Sequence, residues 1–179
     1  MDLLEILDNL GRDVEARYPY INHGGCCVYA AIVAQALQAH RVNAKGIVVS
    51  YFASKWIHID KIRNNLKRKD VREWSENDVN FSHVGLEFRY RGKVYHYDTK
   101  QLKLKEKRFD DMEIYPGRLL VEEMVQLAGS PEGWNTSFDR RKIPVIRRMV
   151  DKALKPQEPR WWEKKSAPKK ACPKIPAAA

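Results

Sequence analysis

Apolar residues recur at helical spacing in two adjacent segments near the start of the chain. The first repeats Leu, Ile and Val every three or four residues behind Asp2, which can cap it, and predicts an amphipathic helix ending near Tyr18. A turn from Pro19 to Gly25 leads into the second segment, from about Cys26 to His40. It is rich in Ala and apolar on most sides, so this second helix is predicted to be buried.

The middle of the chain is rich in β-branched and aromatic residues, which favour strands. One strand is predicted over Lys45 to Phe52, and two more over Phe81 to Tyr90 and Lys93 to Thr99. The last two flank Arg91-Gly92 and predict a β-hairpin with a two-residue turn. A basic amphipathic segment, Lys61 to Lys69, lies between the first strand and the hairpin.

Helical periodicity returns in the last third of the chain. One helix is predicted over Arg118 to Ala128, and another, capped by Ser137 or Asp139, is predicted to run to about Leu154. Helices that flank a single antiparallel sheet make an α+β fold.

The C-terminal segment differs from the rest in composition. The chain has 179 residues and a net charge of +10, and its last 25 residues hold seven Lys or Arg against two Glu, which is half of the excess. Five of the nine Pro also lie there. We therefore predict one globular domain over residues 1–154 and a basic, disordered tail over 155–179. The pair Trp161-Trp162 is expected to dock on this domain or on a partner.

Several classes of protein are disfavoured by the composition. No segment has the length and hydrophobicity of a membrane-spanning helix, and the N-terminus does not resemble a signal peptide, so a cytoplasmic location is expected. Three Cys, two of them adjacent, do not form a disulfide framework. No Cys or His spacing supplies four metal ligands, so we expect neither a structural metal nor a cofactor.

Cys26 lies at the first turn of the predicted buried helix, directly after Gly24 and Gly25. Unpaired backbone N–H groups and the positive end of a helix favour a thiolate over a thiol. The glycines allow a carbonyl group to approach the backbone closely. This turn can therefore supply a nucleophile and part of an oxyanion hole, although a buried Cys is also a common core residue.

The predicted hairpin brings a histidine and a carboxylate together. With a turn at Arg91-Gly92, opposite residues have numbers that add to 183, so Asp98 lies opposite Gly85. His83 and Asp98 then share a face and are diagonal neighbours within reach of a hydrogen bond. Val84, Leu86 and Phe88 of the first strand are left for the core. A thiol next to a histidine that a carboxylate orients is the arrangement of a cysteine nucleophile.

These residues resemble the transglutaminase-like and arylamine N-acetyltransferase-like cysteine enzymes of the papain-like superfamily. Residues 25–31, Gly-Cys-Cys-Val-Tyr-Ala-Ala, are similar to the family's Gly-x-Cys helix, and residues 40–44 to the segment that enters the next strand. Residues 82–88 and 92–98 resemble its His-to-Asp hairpin, including an interval of 15 residues. The resemblance covers Asn22 to Thr99, under half of the chain.

The resemblance implies a papain/transglutaminase-like fold in which a helix carrying the Cys packs on a sheet carrying the His and the Asp. It makes Cys26 the nucleophile, His83 the general base and Asp98 the residue that orients it. Two departures exist. Cys27 stands where the family has an aromatic residue, and an alignment shifted by one residue makes Cys27 the nucleophile. The interval of 57 residues from Cys26 to His83 also exceeds the family's usual one.

Other residues are weaker candidates for roles at this site. Gly25, Cys27, Asn22 and Trp134 are predicted to contact substrate, with Asn22 or Tyr20 as a side-chain donor to the oxyanion hole. His23, in the same turn as Cys26, is a poor geometric choice of base. His96 is predicted to be exposed and turned away from both His83 and Asp98.

Two classes of function fit these features. The first is a cysteine-dependent acyl-transfer enzyme that acts on an amide, isopeptide or thioester bond of a protein or peptide, with hydrolysis favoured over transfer to an amine. The second is a basic protein on an inactive scaffold that binds nucleic acid or another anionic partner through Lys61 to Lys69 and the tail. The small size and basic charge of the protein are also compatible with an accessory protein of a phage or bacterium.

Overall fold

Helices pack against one antiparallel sheet in the computed structural model of the chain, which describes residues 2–50, 59–67, 83–105, 113–129 and 138–155. The described helices are α1 (Leu3–Arg17), α2 (Cys26–Ala39), α3 (Ile59–Leu66), α4 (Val121–Gly129) and α5 (Ile143–Ala153), the last preceded by a 3-10 turn at Arg140–Lys142. The described strands are β1 (Ala44–Ser50), β2 (His83–Tyr90), β3 (Lys93–Tyr97), β4 (Leu102–Leu104) and β5 (Glu113–Ile114). The α+β prediction is confirmed.

The strands are arranged in the order β4-β3-β2-β1-β5, and every neighbouring pair is antiparallel. The β2–β3 hairpin has the predicted register, since Leu86 pairs with Tyr97 and Phe88 with Tyr95. Its turn residues Arg91 and Gly92 have φ angles of 47° and 77°, the left-handed conformation that a tight two-residue hairpin turn requires. The turn thus fixes the alternation of faces along both strands.

The core lies between one face of the sheet and α2. Val84, Leu86 and Phe88 of β2 are buried as predicted, and they belong to the same apolar cluster as α2. Ten of the fourteen residues of α2 are buried, because α4 and α5 pack on the side that does not face the sheet. Burial of these apolar side chains is the main favourable contribution to the stability of the fold.

Two features of the chain differ from the sequence prediction. Residues 118–120 are not helical, because Leu119 and Gly46 exchange two backbone hydrogen bonds of 2.8 and 2.9 Å; α4 therefore begins at Val121. Asp2 occupies the N-cap position of α1 but makes no side-chain cap hydrogen bond. Its carboxylate instead accepts hydrogen bonds from the Tyr90 hydroxyl at 2.8 Å and from Arg91 at 2.9 Å, which joins α1 to the hairpin turn.

Some predictions lie outside the described residues. These are the ends of two predicted strands at residues 51–52 and 81–82, the loop that contains Trp134, and the tail beyond Lys155. Within the described ranges, no helix is both long and apolar enough to cross a membrane. Those ranges also contain no group of three His, Cys, Asp or Glu side chains placed to hold a metal ion.

Candidate active site

Cys26 is the first residue of α2, and its side chain is buried with 4% of its surface exposed. Gly25 is the N-cap of the helix and has no side chain that could cap the backbone N–H groups of the first turn. Those N–H groups and the helix dipole create a positive potential at the Cys26 sulfur. The thiol therefore lies at the positive end of the helix dipole.

The turn before Cys26 is held by close packing at Gly25. A Cβ atom built on Gly25 would lie 2.5 Å from the Ile21 carbonyl oxygen and 2.5 Å from the Phe138 ring. Phe138 comes from the distant segment that precedes α5 and is itself buried. Gly25 is therefore required for space, and its predicted contact with substrate is not needed to explain it.

We expect Gly25→Ala to displace the turn that carries Cys26, because neither the Ile21 backbone nor the Phe138 ring can move away without disturbing α2. The free energy of unfolding should fall by about 2 kcal/mol or more, the size typical of an overpacked core position. Gly129→Ala is the matched control, since a Cβ there meets nothing within 4 Å. Urea denaturation of both variants checks this, and equal stabilities would contradict the packing argument.

His83 and Asp98 form the contact that the hairpin register predicts. His83 Nε2 lies 2.9 Å from Asp98 Oδ2, and both side chains are about nine-tenths buried or more. His83 is the first residue of β2 and Asp98 directly follows β3, so both stand at one end of the hairpin. The start of α2 reaches that end, where the Cys26 side chain is close enough to His83 to help raise the pKa of the imidazole.

The carboxylate of Asp98 is oriented by the chain that follows it. Asp98 Oδ1 accepts hydrogen bonds from the backbone N–H groups of Lys100 at 2.7 Å and Gln101 at 2.9 Å. These bonds leave Oδ2 directed at His83. The two oxygens thus have separate partners, and the imidazole meets a carboxylate that is already fixed in position.

The electrostatic surroundings of His83 favour its protonated form. Burial by itself lowers the pKa of His83, but hydrogen bonds and negative charge at Asp98 and Cys26 outweigh it and raise the pKa to about 9. Since Nε2 is bonded to Asp98, Nδ1 is the ring atom left for the thiol. An imidazolium between a carboxylate and a cysteine sulfur is the charge arrangement of an activated thiol pair.

Cys27, the alternative nucleophile, is in a different environment. Its side chain is fully buried, and its Sγ donates to the Met124 carbonyl oxygen of α4 at 3.5 Å. Burial, followed by the neighbouring Cys26, raises the pKa of Cys27 well above its usual value. These contacts keep Cys27 protonated and make it a packing residue.

Two tyrosines that the sequence analysis did not single out join the parts of the site. Tyr97, which directly precedes Asp98, donates its hydroxyl to the Leu7 carbonyl oxygen at 2.8 Å. The Tyr29 hydroxyl, one helical turn after Cys26, therefore donates to the Tyr97 hydroxyl. Burial raises the pKa of both phenols, so they remain hydrogen-bond donors. No local motif indicates this link, since 68 residues separate the two tyrosines.

Asn22 makes a second link between the Cys26 turn and the Asp98 segment. Its Nδ2 donates to Thr99 Oγ1 at 3.0 Å, and Thr99 donates in turn to Glu15 Oε2 at 3.0 Å. The amide of Asn22 is thus directed at the residue after Asp98. Tyr20, the other proposed donor to an oxyanion hole, is 75% exposed, and Trp134 lies outside the described residues.

His96 corrects the sequence analysis. It is 1% exposed, and its Nε2 lies 3.0 Å from Glu87 Oε2, directly across the hairpin. The prediction of an exposed residue turned away from Asp98 is wrong, because residues two apart in a strand share a face. Burial raises the pKa of Glu87, but Arg118 at 2.8 Å and His96 outweigh it and lower the pKa to about 2. Glu87 and Arg118 thus form an ion pair on the sheet, and His96 forms a hydrogen bond with the same carboxylate.

The structure describes residues 61–67 of the predicted basic segment Lys61 to Lys69, but not the tail beyond Lys155. Arg63 of α3 pairs with Glu123 at 2.7 Å and also donates to the Arg118 carbonyl oxygen, so it joins α3 to α4. This side chain has a structural use that does not involve phosphate. Binding of nucleic acid through Lys61 to Lys69 and the tail stays a prediction.

Comparison with known proteins adds no family assignment. No family model, curated protein or solved structure matches the chain. The resemblance to transglutaminase-like enzymes therefore rests on the sequence motifs alone.

Proposed function

We propose that the protein is a cysteine-dependent acyl-transfer enzyme with Cys26 as nucleophile, His83 as acid and base, and Asp98 as the residue that orients His83. The observation that carries the proposal is the arrangement at His83, whose Nε2 lies 2.9 Å from Asp98 Oδ2 and whose pKa is raised by both Asp98 and Cys26. Three titratable groups from α2, β2 and the end of β3 meet in one buried cluster. A buried histidine whose pKa is shifted beside two further titratable groups is typical of a catalytic site.

The chemistry divides into two steps. The Cys26 sulfur, whose proton His83 holds, attacks a carbonyl carbon and forms a C–S bond, and the carbonyl π electrons move to oxygen. Collapse of this tetrahedral intermediate breaks the bond to the leaving amine or thiol, which takes the proton from His83. Water or an amine then loses a proton to His83, attacks the acyl-enzyme and releases Cys26.

The start of α2 supports the developing negative charge on the carbonyl oxygen. The N-cap residue Gly25 leaves the backbone N–H groups of the first turn without a cap of its own, and the positive end of the helix dipole lies at the same point. Backbone donors placed in this way act as an oxyanion hole. We assign that role to the N–H groups at Cys26 and Cys27.

The same geometry supports the papain/transglutaminase-like arrangement, because the helix that begins at Cys26 packs on the strand that begins at His83. We favour hydrolysis of an amide or isopeptide bond over transfer to an amine. A protein or peptide is the proposed substrate class.

A generic acyl donor tests this function without knowledge of the natural substrate. We expect p-nitrophenyl acetate to acetylate Cys26, with a burst of p-nitrophenol and an acetyl adduct on the peptide that contains Cys26 after an acid quench. His83→Ala should slow the burst by about 100-fold, the usual contribution of a general acid–base group. Acetylation spread over lysines, with no burst, would contradict an activated thiol.

A further inference from the structure

A cleft of about 530 Å³ lies beside the turn that carries Cys26. Residues from three places line the cleft. Arg17 and Tyr18 come from the end of α1, Tyr20 and His23 from the turn before Cys26, and Phe138 and Lys142 from the segment before α5. The volume falls within the range of 300–1,000 Å³ that is usual for ligand sites. The site described above does not use this cleft.

The cleft is cationic and aromatic. The Arg17 guanidinium lies 5.9 Å and the Lys142 ammonium 5.5 Å from the centre of the Tyr18 ring. Both cations therefore form cation–π contacts with Tyr18. The Tyr20 and His23 rings meet edge to face at 5.9 Å. Aromatic surface with fixed cations suits a ligand that is partly apolar and carries a negative charge.

The cations of the cleft are not neutralised from within it. Among the residues that the structure describes, none that lines the cleft is Asp or Glu, and neither Arg17 nor Lys142 forms an ion pair. Asp139 has a pKa that is lowered mainly by Arg141 and to a smaller extent by Lys142. Its carboxylate, however, is held by Arg141 through hydrogen bonds of 2.9 and 3.1 Å. The cleft therefore offers two cations to an external anion.

The cleft also borders the turn that leads to the nucleophile. Phe138, which lines it, packs against Gly25, the residue before Cys26. His23 lies three residues before Cys26 in the same turn. A side chain bound in the cleft would thus belong to a substrate residue close to the acyl group under attack.

We propose that this cleft binds an acidic side chain of a peptide substrate, so that the enzyme prefers peptides with Asp or Glu near the bond that it attacks. The inference rests on the proposed function for the link to Cys26, whereas binding of the acidic side chain does not require that chemistry. Arg17 and Lys142 pair with the carboxylate, and the rings of Tyr18 and Tyr20 contact its aliphatic part.

The test uses three matched electrophiles, iodoacetyl-Glu-Gly-amide and its Gln and Lys counterparts, with the rate of alkylation at Cys26 measured by mass spectrometry. We expect the Glu probe to react about tenfold faster than the Gln probe, the size expected of one or two partly exposed ion pairs, and the Lys probe to be slowest. In Arg17→Gln/Lys142→Gln the Glu-to-Gln ratio should fall to about one. Arg89→Gln/Lys93→Gln removes two exposed charges elsewhere, on the hairpin, and should keep the ratio.

Every other outcome contradicts either the proposed cleft or the proposed function. A ratio near one in the wild type, or one that survives loss of Arg17 and Lys142, overturns the cleft and leaves the proposed function intact. Alkylation that does not depend on His83 overturns the proposed function. Calorimetric binding of acetyl-Glu-Gly-amide to wild type and to the double variant then decides on the cleft, which fails if the two bind equally. A short oligo(dT) that binds more tightly than the peptide, and only with Arg17 and Lys142 present, overturns the assignment to a peptide.

Discussion

Cys26→Ser should reduce turnover of p-nitrophenyl acetate by about 1,000-fold or more, because a serine hydroxyl at this position is a far weaker nucleophile than a cysteine paired with His83. The free energy of unfolding should change little, since the substitution preserves the shape of a small side chain at the start of α2. Steady-state ester hydrolysis and urea denaturation measure the two quantities on the same preparation.

Cys27→Ala is the matched control and should give the opposite result. Turnover should stay within about twofold, because Cys27 is directed at the Met124 carbonyl oxygen and not at His83. The free energy of unfolding should fall by about 1–2 kcal/mol, since the change leaves a small cavity and removes a buried hydrogen bond. Loss of activity in Cys27→Ala with full activity in Cys26→Ser would assign the nucleophile to Cys27.

Asp98→Asn should lower the acylation rate by about 10,000-fold while the fold persists. The asparagine Oδ1 can still accept the backbone N–H groups of Lys100 and Gln101, but its amide N–H₂ would face His83 Nε2. His83 then has to accept at Nε2 and carry its proton on Nδ1, the nitrogen that must receive the proton of Cys26. A wrong tautomer of this kind costs about four orders of magnitude in a serine triad, so a comparable loss is expected here.

The same substitution should change how stability depends on pH. The pKa of His83 is about 9 in the folded protein, above its ordinary value of 6.5, so the stabilisation is complete below pH 6.5 and is lost as the pH rises toward 9. We expect the free energy of unfolding of the wild type to fall over that interval. Asp98→Asn should flatten this dependence, as urea denaturation at a series of pH values would measure. An unchanged profile would contradict the coupling between Asp98 and His83.

The hairpin was the most predictable part of the molecule, and it carries half of the site. The two-residue turn at Arg91-Gly92 sets the register, and the register alone places His83 and Asp98 together. The same alternation puts His96 on the face of Asp98, which the sequence analysis misjudged. Chain-local geometry was therefore sufficient for the contact between His83 and Asp98.

Other features depend on contacts between distant segments, and the sequence does not reveal them. Residues 118–120 have helical periodicity, but pairing of Leu119 with Gly46 makes them extended. The strands β4 and β5 have three and two residues, too short for a periodic pattern. The packing of Phe138 on Gly25 and the bond between Tyr29 and Tyr97 likewise join residues far apart in the chain.

The choice between Cys26 and Cys27 shows the same limit. Both follow the glycines, and the motif alone left either as the nucleophile. The direction of each side chain from the first turn of α2 separates them, since Cys26 contacts His83 and Cys27 contacts the Met124 carbonyl oxygen. That direction is set by how α2 packs between the sheet and α4.

The pairing of Cys26 with His83 is the central claim, and the rate of iodoacetamide alkylation at pH 7, resolved by residue with mass spectrometry, tests it most directly. We expect Cys26 to react at least about tenfold faster than N-acetylcysteine, because the rate follows the thiolate fraction. Cys27 should stay unlabelled while the protein is folded, and His83→Ala should remove the advantage of Cys26. Labelling of Cys26 no faster than the free thiol, or equally fast in His83→Ala, would contradict the pair and the function built on it.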